Sequence, residues 1–128
     1  MSSGHPGLIN DFMEKGSSFN WNEKSLTEIK IIKSKYPVER IQSAVMPLLF
    51  LAQKQNDNWL SVECIDTVSQ TLDMPKIRVA EVATFYSMFN LKPVGKNFIQ
   101  ICRTSPCWLR GSNKITKTIC SETNCDIN

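Results

Sequence analysis

Histidine is almost absent from this chain. His5 is the only one among 128 residues, and it sits in a Gly/Ser-rich start. No catalytic base or metal site built on imidazole is therefore expected. No run comes near the roughly 18 apolar residues that a membrane span requires. The longest, about Ala44 to Ala52, is interrupted by Pro47. Charge of one sign is not in excess either. Fifteen basic and 12 acidic residues leave +3, too mild to argue for nucleic acid by itself. The N-terminus has neither a basic-then-apolar signal pattern nor the Arg-rich, acid-poor character of an organelle presequence. Five cysteines without a secretory signal point to a reducing compartment, where metal ligands or free thiols are expected rather than disulfides.

What remains is ordinary globular composition, 41% hydrophobic and 21% charged, in a chain of one-domain length with no internal repeat. Residues 1–20 are rich in Gly and Ser and read as a flexible segment or partner-binding arm. A helix is expected from Ser25, which forms a capping-box spacing with Glu28, to Tyr36, where Pro37 stops it. A second should run from Glu39 to Gln55 with Ile41, Ala44, Val45, Leu48, Leu49 and Ala52 inward, bent by Pro47. Ser61 can cap a third, with Val62, Ile65, Val68 and Leu72 on its buried face and Cys64 a small core residue. A fourth is predicted over Lys76–Met88, with Ile77, Ala80, Val82, Ala83 and Tyr86 inward. Then the period changes. Asn97–Cys102 is short, apolar and β-branched, and predicts a strand. From Cys107 to Ile119 a further helix is expected.

The chemistry lies in Cys102-Arg103-Thr104-Ser105-Pro106-Cys107. Two thiols separated by four residues, at the exit of a strand, can clamp one metal from a tight loop. A plant-ferredoxin arrangement would need a third cysteine at position 110, which is Arg. Dithiol exchange of the thioredoxin kind normally uses a two-residue gap. Cys120 and Cys125 form a second pair with the same four-residue gap. Four thiols could hold zinc or a small iron–sulfur cluster. A helix running unbroken from Cys107 would however place Cys120 roughly 18–20 Å away at 1.5 Å per residue.

Several strings resemble one family. They are Glu81-Val82-Ala83-Thr84-Phe85-Tyr86-Ser87-Met88-Phe89-Asn90, Lys92-Pro93-Val94-Gly95-Lys96, Ile99-Gln100-Ile101-Cys102 and Thr104-Ser105-Pro106-Cys107-Trp108-Leu109-Arg110-Gly111-Ser112. Together with Ala44–Leu49, Leu51–Asn56 and Trp59-Leu60, they resemble the two-iron, thioredoxin-like ferredoxin component of respiratory NADH:quinone oxidoreductase (complex I), its E subunit. The resemblance covers about residues 36–112.

The resemblance implies a mainly α chain: a helical bundle over 21–92, then over 93–128 the first strand and helix of an incomplete thioredoxin-like α/β domain. It implies Cys102 and Cys107 as the first two ligands of a [2Fe-2S] cluster. It implies electron transfer within the NADH-oxidising module, docking on the flavin-bearing subunit, with no catalysis by the isolated chain. The location implied is cytoplasmic and peripheral to the inner membrane, or the mitochondrial matrix in a eukaryote. The family's second cysteine pair, with a three-residue gap in a segment like Glu-Cys-Leu-Gly-Ala-Cys, has no counterpart here, and Cys120 and Cys125 do not match it. A C-terminally truncated or divergent member is the expectation, with the residues after Asn97 poorly stable alone.

Three rival readings accompany this one. A cluster-less fragment could dock on the flavin subunit through Phe85, Tyr86, Met88 and Phe89. The two cysteine pairs could form a zinc module. Residues 61–72 and 76–88 have helix-turn-helix proportions, with Lys76, Arg78, Glu81, Thr84 and Ser87 a thin set of base readers. Arg110 reads as a solvated helix residue or as a positive charge beside an anionic cluster. Trp108 reads as a packing residue that shields the loop.

Overall fold

The computed structural model describes residues 13–127, so His5 and the first 12 residues lie outside the description. The chain divides into two compact units at Gly95–Lys96. The first contains α1 (Glu23–Ser34), a 3-10 segment (Val38–Ala44), α2 (Val45–Gln55), α3 (Val62–Leu72) and α4 (Lys76–Phe85).

Local chemistry sets each boundary. The side chain of Asn22 accepts from the Ser25 amide at 2.7 Å and so caps α1 three residues before Ser25, the cap that the Ser25–Glu28 spacing predicts. Ser25 is buried instead, and its hydroxyl donates to Gln55 Oε1 at 2.8 Å. The expected helix from Glu39 is broken. Arg40 takes non-helical angles inside the 3-10 segment, and the α-helix begins only at Val45. Pro47 thus falls in a first turn, where a missing N–H costs no bond. It starts α2 rather than bending it. Ser61 does cap α3, accepting from the Cys64 amide at 3.3 Å. Asp73 closes α3 in the left-handed region at φ 48°.

α2 is the central helix, packed on α1, α3 and α4. Leu48, Leu49, Leu60, Ile65, Val68, Leu72 and Val79 are fully buried, and Cys64 lies among them as expected. Each such aliphatic side chain contributes about 1.5–3 kcal/mol. α4 is rotated from its predicted face. Val79, Ala80 and Ala83 point inward, Ile77 is 48% exposed, and Tyr86 lies beyond the helix end.

Residues 13–20 are packed, not loose as the Gly/Ser content suggested. Met13 and Phe19 are buried, and Val62 donates its amide to the Glu14 carbonyl at 3.2 Å. Trp21 Nε1 donates to Thr71 Oγ1 at 2.8 Å. The Gly16 amide donates to Glu63 Oε2 at 2.8 Å. Burial works to raise the Glu63 pKa, but hydrogen bonding, led by the Gly16 amide, outweighs it and leaves the carboxyl below its ordinary value. A methyl group at Gly16 would meet Ser61 Cβ at 2.9 Å and Trp59 at 3.3 Å. Ser61 is itself fully buried and cannot retreat. Gly16→Ala should therefore cost about 1–3 kcal/mol, read as a lower urea midpoint. An unchanged midpoint would mean that this segment is not seated against α3.

The second unit holds α5 (Ser105–Leu109) and α6 (Ser112–Thr123). The predicted strand at Asn97–Cys102 does not form. Among the described residues there is no second strand to pair its backbone, and a strand without a partner gains no ladder. The expected single helix after Cys107 is broken at Gly111, which adopts φ +97°, open to glycine without strain. Trp108 is 57% exposed and so does not shield the loop as a packed residue would. No described hydrophobic side chain of this unit is buried.

Candidate metal centre

Thr104 organises the cysteine loop. It is the extended residue that precedes α5, with Pro106 in the first turn, where proline is preorganised. Cys102 lies two residues before it, and Cys107 three residues after it, inside α5. The Thr104 hydroxyl sits 3.2 Å from Cys102 Sγ. Cys102 is exposed and Cys107 half-buried. The two sequence-predicted ligands thus flank Thr104 in one loop. Thr104 is the residue that sequence reasoning overlooked; a hydroxyl between two thiols, at a helix start, was the available signal.

The two thiols divide their protons unequally. Hydrogen bonds from the Thr104 hydroxyl, the Thr104 backbone and the Cys107 thiol bring Cys102 down to about 7. Cys107 is raised, first because its hydrogen bond to Cys102 holds its proton, then by burial and by the charge of the neighbouring thiolate. Above about pH 7 the pair shifts toward one thiolate, on Cys102, and one thiol, on Cys107. Iodoacetamide should accordingly modify Cys102 first, with a rate that levels off near pH 7, while the Cys107 rate still climbs above pH 9. Equal rates at both cysteines across that range would contradict the hydrogen bonding described.

Two cysteines of one loop fit half of a [2Fe-2S] ligand set, which takes four thiolates over two irons. Cys120 and Cys125 are not brought to them. Among the described residues no three His, Cys, Asp or Glu side chains gather where one metal could hold them. The zinc module of two cysteine pairs, which needs four ligands in one place, therefore has no assembled site among those residues. Arg103 and Arg110 lie exposed on either side of Cys107 in the chain, and Arg110 closes α5.

The sequence profile of the thioredoxin-like [2Fe-2S] ferredoxins matches residues 29–128. The chain belongs to this family. The ferredoxin match includes both loop cysteines and reaches back into the helical unit. Among relatives, the chain is 56% identical over 108 residues to the E subunit of NADH-quinone oxidoreductase from Rickettsia bellii (strain RML369-C), covering 84% of this chain and 64% of the relative. To its counterpart of the same name from Rickettsia prowazekii (strain Madrid E) it is 52% identical over 105 residues, 82% of this chain and 59% of the relative. To the mitochondrial NADH dehydrogenase [ubiquinone] flavoprotein 2 of Dictyostelium discoideum it is 44% identical over 100 residues, 78% and 40% respectively. The resemblance to this oxidoreductase component, drawn from residues 36–112, holds. This ferredoxin-family chain spans about three-fifths of the length of its rickettsial relatives.

Two charged residues of the helix-turn-helix reading form exposed ion pairs in the structure. Lys76 pairs with Asp66, and Arg78 Nη1 donates to Glu81 Oε2 at 3.1 Å. Among the described residues no helix is long and apolar enough to cross a membrane.

Proposed function

We propose that the chain is an electron-transfer component of the NADH-oxidising module of NADH:quinone oxidoreductase, in which Cys102 and Cys107 supply the first two ligands of a [2Fe-2S] cluster. When bound, such a cluster stores and passes single electrons, and the protein tunes its potential through hydrogen bonds and charge. The observation that carries this reading is the loop of Cys102, Thr104 and Cys107, with Cys102 Sγ 3.2 Å from the Thr104 hydroxyl, inside a span matched by the ferredoxin family. The Cys102 thiol, lowered to about 7, is partly ionised near neutral pH, and the thiolate is the form in which a cysteine ligates metal. The Thr104 hydroxyl lies 3.2 Å from that sulfur, within hydrogen-bond distance. The partner proposed is the flavin-bearing subunit that oxidises NADH, on the cytoplasmic face of the inner membrane or in the mitochondrial matrix. The isolated chain performs no bond chemistry.

The test is iron, acid-labile sulfide and zinc per chain after anaerobic purification. About two irons and two sulfides per chain support the proposal and mean that further ligands complete the site. About half that amount in a two-chain species would mean that two copies share one cluster. Zinc without iron, or no metal, would overturn cluster binding by this chain.

A second reading rests on the exposed Phe85, Tyr86 and Met88 at the end of α4 (80%, 39% and 36% exposed). Phe89, which the same stripe suggested, is buried and packs its ring 4.9 Å from that of Phe50. A docking fragment without a cluster would use these three side chains. Co-purification with a flavin subunit in the absence of iron would select this reading.

A further inference from the structure

We infer that the second unit presents a docking face for an acidic protein surface, built from Arg110, Lys114 and Lys117 with the exposed Trp108, Leu109 and Ile115. The inference rests on the reading above for its choice of partner, and gives that partner a chemistry and a place to bind. It stands on the distribution of charge. From Val82 to Ser121 no residue is acidic. In the second unit Lys96, Arg103, Arg110, Lys114 and Lys117 against Glu122 and Asp126 leave +3, which is the net charge of the entire chain. The helical unit is therefore balanced. Among the described residues the ion pairs are Lys76–Asp66 and Arg78–Glu81, both in the helical unit. The five basic side chains of the second unit thus meet no carboxylate among those residues.

Trp108 and Leu109 end α5, Arg110 closes it, and Lys114, Ile115 and Lys117 follow in the first turns of α6. All six are exposed. The side that α6 turns inward carries Ser112 and Thr116, both buried. Cations interleaved with exposed apolar side chains, Trp and Arg among them, match the anchors of protein interfaces. Two other occupants fit less well. A second copy would set one +3 unit against another, and like charges across an interface cost affinity. A bilayer takes up a helix by its apolar face. α6 turns lysines outward and small polar residues inward, so it has no such face to insert. An acidic protein surface supplies the missing carboxylates and steers the encounter, while Trp108 and Leu109 lose water on contact.

The experiment titrates the full chain against three probes: the cognate flavin-bearing subunit, poly-L-glutamate and phosphatidylglycerol vesicles. Binding is read at about 0.05 M and about 0.5 M NaCl, between which screening of exposed charges becomes severe. Affinity for the subunit and for poly-L-glutamate should fall at least about tenfold at the higher salt, and again in the double variant Lys114→Glu/Lys117→Glu. Trp108→Ala should weaken the subunit complex about tenfold with unchanged helical circular dichroism. The matched control is Lys24→Glu/Lys30→Glu, the same change of charge at two exposed positions of α1, which should leave binding as it was. Equal losses in both double variants would overturn the inference, because net charge alone would then explain them. So would a subunit complex indifferent to the α6 charges and to Trp108, which leaves the partner standing but moves its seat elsewhere. Tighter binding to the vesicles than to either polypeptide, or no binding to either polypeptide, would overturn it as well. Poly-L-glutamate bound as expected with no subunit complex means that the docking face stands and the flavin-subunit reading fails.

Discussion

Leu48→Ala is expected to lower the stability of the helical unit by about 2–5 kcal/mol. Leu48 is completely buried on α2, the helix against which α1, α3 and α4 all pack. Removing three carbons there loses their transfer free energy. It also leaves a cavity that three helices would have to move to fill, and close-packed interiors relax only in part. Domains of this kind hold about 5–15 kcal/mol in total, so the substitution removes a large share. The contrasting substitution is Leu109→Ala. Leu109 is 75% exposed in the second unit, and its truncation should change stability by no more than about 0.5 kcal/mol. Urea unfolding followed by helical circular dichroism compares the two. A Leu48→Ala midpoint within error of that of Leu109→Ala would mean that α2 is not the centre of the core.

The parts legible in the sequence are those decided by near neighbours. The Ser61 cap, the buried face of α3 and the burial of Cys64 follow from period and spacing alone. The start of α1 was not legible, because two capping patterns overlap. Asn22 and Ser25 are both good caps, and the choice is made by Gln55, far along the chain, which takes the Ser25 hydroxyl. The face of α4 is equally obscure from sequence. Ile77, Val79, Val82 and Phe85 surround the helix, so apolar residues occur on every side and tertiary packing selects Val79. Met13 and Phe19 sit in a stretch whose Gly and Ser content hides how firmly its backbone is held by Glu63 and Leu91. The strand at Asn97–Cys102 has strand composition, but composition does not supply a pairing partner. The break at Gly111 was signalled by the glycine itself, and only the apolar pattern after it suggested continuity.

The cysteine loop was legible as a pair, and its internal order separates ligand from tuning residue. In chain that has taken up iron, Cys102→Ser and Cys107→Ser should each reduce iron and sulfide to background. A serine hydroxyl offers a hard, protonated oxygen where the soft thiolate is needed, and a pair that loses one member no longer chelates. Cys120→Ser and Cys125→Ser should leave the iron content unchanged, since neither residue is brought to the loop among the described residues. Loss of iron in those variants as well would mean that binding rearranges α6 to deliver them. Thr104→Val is the variant that distinguishes the roles. It keeps both thiols and removes the hydroxyl 3.2 Å from Cys102 Sγ. Iron should remain, while the thiolate loses the hydrogen bond that stabilises its negative charge. Its pKa should rise from about 7 toward the ordinary thiol value. The reduction potential of the bound iron should fall, because a hydrogen bond to a ligand sulfur favours the more negative, reduced state. Thr104→Ser, which restores a hydroxyl, should recover both quantities. A Thr104→Val chain with unchanged potential and unchanged Cys102 reactivity would reduce Thr104 to a turn residue.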